Sequence, residues 1–140
     1  MIIEIILAVL FPTLWFIALE LKFENLFYSF IGFFSFIVLS IFYLLLATPN
    51  TIFVRVFCEE FVKCIFTRNW KEGASSGIGF SIIENLLWAL QSNPMNLVLR
   101  GVFTTGIHAV ASGSIATRKP SLVIIGYLIH VNWNLLVRSL

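Results

Sequence analysis

The chain has 140 residues, of which 59% are hydrophobic and only 11% charged, with a net charge of +2 and a mean hydropathy of +0.98. A soluble domain carries roughly a quarter charged residues, so the composition excludes one, and so small a positive charge with no Lys/Arg cluster argues against nucleic acid as a partner. At about 18–20 residues per crossing, the length holds about six transmembrane helices and little else. The expected fold class is therefore all-α, a polytopic membrane helix bundle forming a single integral membrane domain over residues 1–140. The expected location is multi-pass in a lipid bilayer, the plasma membrane in a prokaryotic cell.

In chain order, residues 1–19 form a first apolar run interrupted by Glu4 and Pro12. It lacks a basic start and a small-residue cleavage site, and Glu20, Lys22 and Glu24 follow it, so an uncleaved span is expected rather than a signal peptide. Residues 26–47, rich in Phe and Leu, read as a lipid-facing helix that supports the rest. After a turn at Thr48-Pro49-Asn50, a third span over residues 51–67 carries Arg55, Glu59, Glu60 and Lys63. Arg68 to Gly73 reads as a short polar loop, and a fourth span over 75–91 opens among glycines and serines that permit close helix contact. Its centre holds Glu84 and Asn85. Ser92-Asn93-Pro94 breaks the chain before a fifth span over 96–117 with Arg100 and His108, and Arg118-Lys119-Pro120 turns it into a sixth over 121–138 with His130 and Asn134. Cys58 and Cys64, six apart on one helix, point in different directions and are read as small apolar packing residues.

The charges of the third span set the problem. An ionised side chain at the centre of a bilayer costs at least about 2.5–3.5 kcal/mol on insertion scales, so a chain that keeps Glu59, Glu60 and Lys63 there must pair, neutralise or hydrate them. A structural ion pair is the bland explanation, since Glu59 and Lys63 share a helix face at i, i+4. Depth argues for more. With each span centred in the bilayer, Glu59, Glu60, Glu84, His108 and His130 fall within about one helical turn, roughly 5 Å, of the midplane. A lone intramembrane histidine is as often a helix-to-helix hydrogen bonder as a ligand, and Arg100 is as readily an interfacial snorkelling residue as a functional one. Several such groups at one level fit poorly with isolated roles, and they predict one buried, water-accessible cavity onto which the carboxylates and both imidazoles converge.

The ordered set Glu59-Glu60-x-x-Lys63, Gly79-Phe80-x-x-x-Glu84-Asn85, Arg100 with His108, and His130-x-x-x-Asn134 resembles the PrsW-type intramembrane proteases. These are themselves distantly similar to the CAAX-protease and bacteriocin-processing group. The resemblance covers residues 55–134 and leaves the two leading spans, 1–47, unmatched, so a peptidase-like core is expected over about 51–138. It implies hydrolysis of peptide bonds in or near the bilayer, with Glu59, Glu60, Glu84, His108, His130 and Asn134 at the catalytic site and Lys63, Asn85 and Arg100 in support. Where the CAAX-protease branch has a histidine in the second motif this chain has Glu84, so that position's role does not carry across.

Amide hydrolysis needs an activated water, a donor set for the oxyanion and an acid for the leaving amine. The chain contains no Asp, and no Ser or Cys near the motif has an obvious neighbouring base in its span, which leaves two arrangements. In the preferred, metal-free one, Glu60 or Glu59, assisted by His108, activates water while His130 and Asn134 polarise the carbonyl. Because Glu59 is expected to pair with Lys63, Glu60 is the better candidate base. In the other, a divalent metal such as zinc is bound by residues drawn from Glu60, Glu84, His108 and His130, with a position left open for water. The H-E-x-x-H signature is absent.

The expected function is thus an intramembrane endopeptidase acting on a membrane protein or peptide substrate. The rival class is a proton-coupled transporter or channel, because chains of intramembrane Glu and His also serve proton relays; a third is a noncatalytic assembly subunit using polar residues as glue. The missing internal repeat and the amide-bearing Asn85 and Asn134 count against transport. Lys22, Arg68, Lys71, Arg118 and Lys119 fall in the loops after the first, third and fifth spans, so the positive-inside rule predicts those loops in the cytoplasm and both termini outside.

Overall fold

The computed structural model describes residues 2–46, 51–90 and 94–138. It contains six α-helices: α1 (Ile2–Ala18), α2 (Leu26–Leu46), α3 (Ile52–Cys64), α4 (Trp70–Ala89), α5 (Pro94–Ala116) and α6 (Pro120–Arg138), with a 3₁₀ turn at Phe23–Asn25 before α2. Among the described residues there is no strand, and the protein is all-helical. The turn expected at 48–50 and the break at 92–93 lie outside the described residues.

Two stretches, Phe23–Leu46 and Pro120–Val137, are long and apolar enough to cross a membrane, and α1 is apolar but shorter. The helices α4 and α5 have the length, but glycine, serine and threonine dilute their apolar character. The largest departure from expectation is the third span. Its helix, α3, has 13 residues, about 20 Å at 1.5 Å per residue, against a hydrocarbon core of about 30 Å.

Its end is chemically defined. The Thr67 backbone N–H and hydroxyl both donate to the carbonyl of Cys64, the latter at 3.0 Å, and close the last turn. Two residues on, the Asn69 side chain accepts from the N–H of Glu72 at 3.1 Å, and the Glu72 carboxylate accepts from Asn69 Nδ2 at 2.6 Å and from the N–H of Arg68 at 2.8 Å. Such reciprocal capping satisfies the free donors of a first helical turn. Residues 70–73, expected in a loop, are therefore the first turn of α4.

The centre of the bundle is α4, because its sequence has no bulky stripe to favour one side. Every residue from Gly73 to Ser81 is buried, and its neighbours come within backbone contact. A Cβ on Gly79 would collide with the carbonyl of Ser29 on α2, one on Gly32 with the carbonyl of Ser76, and one on Gly77 with the carbonyl of His108 on α5. Small residues in membrane helices serve this close approach. Replacing Gly79 by Ala should destabilise the fold by about 1–3 kcal/mol, read as earlier thermal unfolding in detergent. Leu90→Ala, at an exposed position 70% accessible on the same helix's end, should shift it by less than about 0.5 kcal/mol.

The leading helices are structural walls. Trp15 of α1 donates its indole N–H to the carbonyl of Val102 on α5 at 2.7 Å, and Ser35 of α2 donates to the carbonyl of Val62 at 3.1 Å. At the opposite end from the α3 N-terminus, Lys71 donates to the carbonyl of Glu20 at 3.4 Å and Arg118 to that of Thr67 at 3.2 Å. These contacts draw the connections after α1, α3 and α5 together, so their basic residues share one end of the bundle. Glu20 and Arg118, with φ of 51° and 58°, are the residues that break α1 and α5 in the left-handed region, the usual way a helix is stopped.

Candidate active site

Four helices bring their ionisable groups to one place. Glu59, Glu60 and Lys63 come from α3, Glu84 from α4, Arg100 and His108 from α5, and His130 and Asn134 from α6. They form a continuous chain of contacts. Arg100 Nη2 lies 3.2 Å from Glu84 Oε1, and Glu84 Oε2 lies 2.7 Å from His108 Nε2. His108 Nδ1 faces Lys63 Nζ at 3.1 Å, and the same ammonium donates to Glu60 Oε1. That oxygen also meets His130 Nδ1 at 2.6 Å, while Glu60 Oε2 accepts from the Ser112 hydroxyl at 2.8 Å. The chain ends at His130 Nε2, 3.4 Å from Glu59 Oε2 and without a hydrogen-bond partner of its own.

The donor pattern fixes the imidazoles. An ammonium has no lone pair, so His108 Nδ1 accepts from Lys63 and Nε2 carries the hydrogen donated to Glu84. His130 spends Nδ1 on Glu60, which aims Nε2 at Glu59. The two rings meet edge to face with centroids 4.6 Å apart, and Phe80 packs under both His108 (5.3 Å) and the Lys63 ammonium (4.5 Å). An aromatic face beneath a desolvated ammonium is favourable.

Two residues divide the expected roles differently from the sequence reading. Lys63 pairs with Glu60, not with Glu59. The i, i+3 and i, i+4 neighbours of a helix are equally close, and the choice falls to Glu60 because His130 and Ser112 already converge there. Glu60 and Lys63 are buried, at 3% and 0% exposure, whereas Glu59 is partly buried, its side chain 14% exposed, and borders two adjoining cavities of about 540 and 260 Å³. Glu84 and Trp88 line both cavities as well; α2 walls the larger through Phe36 and Tyr43, and Arg100 and Asn134 line the smaller. Expected only as a supporting helix, α2 thus also forms one side of the larger cavity.

The expected groups meet in one chain of contacts but not around one cavity, because His108 and His130 line neither of the two. Glu59, Glu84, Arg100 and Asn134 face the cavities; Glu60, Lys63, His108 and His130 are buried outside both linings, and Glu60 borders a separate cavity of about 320 Å³. Arg100 turns inward to Glu84 and stacks over the Trp88 ring at 4.0 Å, which a purely interfacial arginine would not do. Asn85 is elsewhere: fully buried, its Nδ2 donates to Thr105 Oγ1 at 3.3 Å, where Ser81 also donates at 3.2 Å, and it ties α4 to α5. Cys58 and Cys64 are free thiols, and Cys64 is buried with Sγ 3.4 Å from the Ser112 carbonyl.

Sequence reasoning passed over Ser112 and assigned no role to Arg55. Both had a signal in spacing, since Ser112 is one helical turn past His108 and Arg55 one turn before Glu59. Trp88, one turn past Glu84, carried the same signal.

Glu60, His108 and His130 can hold a metal ion: one ligand atom from each lies within 4.8 Å of the other two. Glu84, also an expected ligand candidate, is not in this group and instead holds His108 from the far side. The donor set is of the mixed Glu/His kind that suits zinc. The Lys63 ammonium already contacts two of its members, Glu60 and His108, so an incoming dication would have to displace a fixed positive charge.

Comparison of the chain with protein-family models, with curated proteins and with solved structures gives no match.

Proposed function

We propose that the protein is a multi-pass intramembrane endopeptidase of the metal-free, glutamate-dependent kind, with Glu59 as the base that activates water. The observation carrying this reading is the position of Glu59, a carboxylate that opens to both cavities and has His130 Nε2 3.4 Å behind it. The order of its polar motifs, which resembles that of PrsW-type proteases, supports the same reading.

In the proposed reaction a water in the cavity gives its proton to Glu59 as its oxygen bonds to the scissile carbonyl carbon. Glu60, saturated by Lys63, His130 and Ser112, holds the His130 ring with Nε2 toward Glu59. Asn134 and Arg100, which line the smaller cavity, are the donors available to the developing oxyanion. Collapse of the tetrahedral intermediate breaks the C–N bond, and the proton held by Glu59 passes to the leaving amine. A divalent ion held by Glu60, His108 and His130 would supply Lewis-acid polarisation of the water or carbonyl; in the metal-free reading the Lys63 charge occupies that role's electrostatic place.

The proton-relay alternative draws on the chain Glu84–His108–Lys63–Glu60–His130–Glu59. Both ends of that chain, Glu84 and Glu59, line the same two cavities, whereas vectorial proton movement needs ends on opposite faces. The test is cleavage of single-span membrane peptides by the purified protein in proteoliposomes, with and without a chelator. Cleavage that survives the chelator is expected. Reversible loss with the chelator would replace the metal-free mechanism, and proton flux without cleavage would replace the peptidase.

A further inference from the structure

Resting on the peptidase reading, we infer that Arg55 is a specificity residue that binds an anionic group of the substrate, a carboxylate about two residues from the bond that is cut. Arg55 lies one turn before Glu59 on the same face of α3 and lines both cavities with it. The other charged groups there have partners: Glu84 holds Arg100 and His108, Glu60 holds Lys63 and His130, and Glu59 faces His130. Arg55 makes no ion pair among the described residues. Its carbonyl accepts from the Tyr43 hydroxyl at 3.4 Å, which ties down the backbone of α3 at that turn and leaves the guanidinium to the cavity.

A half-buried guanidinium in a bundle of this hydropathy is costly without a counter-charge, and its planar fork of donors matches a carboxylate in two-point geometry. The cavity offers room for one beside the carboxylate that activates water. Residues four apart on a helix are separated by about 6 Å along its axis, and an extended peptide advances about 3.3 Å per residue. A substrate strand with its scissile carbonyl at Glu59 therefore brings the side chain of a residue about two positions away to Arg55. The anion comes from an Asp or Glu side chain or from a free C-terminal carboxylate at that distance.

The experiment uses apolar, membrane-partitioning peptides with a single Glu moved from three positions before to three after the cleaved bond, the matching Gln peptides, and peptides ending there as free acid or amide. Wild-type protein should cut the best Glu or free-acid peptide with a KM about ten to a hundred times lower than its neutral counterpart, the range of a charge-assisted hydrogen bond. A Glu optimum inside the peptide identifies a side chain, and a preference for acid over amide identifies the C-terminus. Arg55→Gln should erase the difference with kcat on neutral peptides little changed, and Arg55→Glu should turn the preference toward a Lys peptide. Cleavage indifferent to the anion, or a uniform kcat loss in Arg55→Gln, would overturn the assignment and leave the peptidase reading standing. Binding of the same peptides to Glu59→Gln protein separates the two failures: anion-dependent binding that Arg55→Gln abolishes, without cleavage by the wild type, would sink the peptidase and keep the carboxylate site. Absence of both binding preference and cleavage would remove both.

Discussion

Glu59→Gln should lower peptide hydrolysis by a factor of about 10²–10⁴, the usual contribution of a general base, with the protein still folded. The amide keeps the volume and the hydrogen-bonding reach of the side chain but cannot take a proton from water. Because Glu59 borders the cavities and is not part of the Lys63 pair, unfolding temperature in detergent should hardly move. Glu60→Gln is expected to behave in the opposite sense. It removes the counter-charge of a buried ammonium, so the loss of activity should follow loss of folded protein and should be smaller per folded molecule. A folded Glu60→Gln that is inactive beside a Glu59→Gln that matches wild type would reverse the assignment of the base.

Lys63→Met should be the most destabilising single change in the site. Removing one partner of a buried pair costs about 3–5 kcal/mol because the remaining charge is left without compensation, and here Glu60 would keep only the His130 and Ser112 hydrogen bonds. The double variant Lys63→Met/Glu60→Gln should recover much of that loss, since an uncharged pair of similar volume leaves no buried charge. Both are read from unfolding of the detergent-solubilised protein. The single variant has a second signature. With the ammonium gone, Glu60, His108 and His130 are free to take a cation, so zinc should bind Lys63→Met and raise its unfolding temperature by mass action while leaving wild type unchanged. Equal zinc binding by both proteins would mean that Lys63 does not guard the site.

Much of this arrangement could be read from the order of residues, and the reasons are local. Six helices follow from polar breaks between apolar runs, and the meeting of Glu84, His108 and His130 with the α3 carboxylates follows from their common depth. What could not be read was decided by contacts between helices. Whether Lys63 turns to Glu59 or Glu60 is undetermined by helix spacing, and Ser112 on α5 with His130 on α6 makes the choice. The α4 start was hidden because Asn69 and Glu72, charged and polar like a loop, cap the helix instead. The cavity-facing role of α2 had no polar marker except Tyr43 and Ser40, since aromatic rings line a site and face lipid equally well.

Under the proposed peptidase reading, the brevity of α3 bears on how water reaches Glu59. A helix of 13 residues leaves about 10 Å of a normal hydrocarbon thickness unspanned. Bilayers meet such hydrophobic mismatch by thinning locally, at a cost of fractions of a kcal/mol per Å. Thr51 caps α3 and Arg55 lies in its first turn, at the end of the helix whose residues line both cavities. There, thinned lipid would bring the aqueous interface toward Glu59. Hydration of the site would then depend on membrane thickness, and proteoliposomes of longer-chain lipids should turn over substrate more slowly than those of shorter-chain lipids.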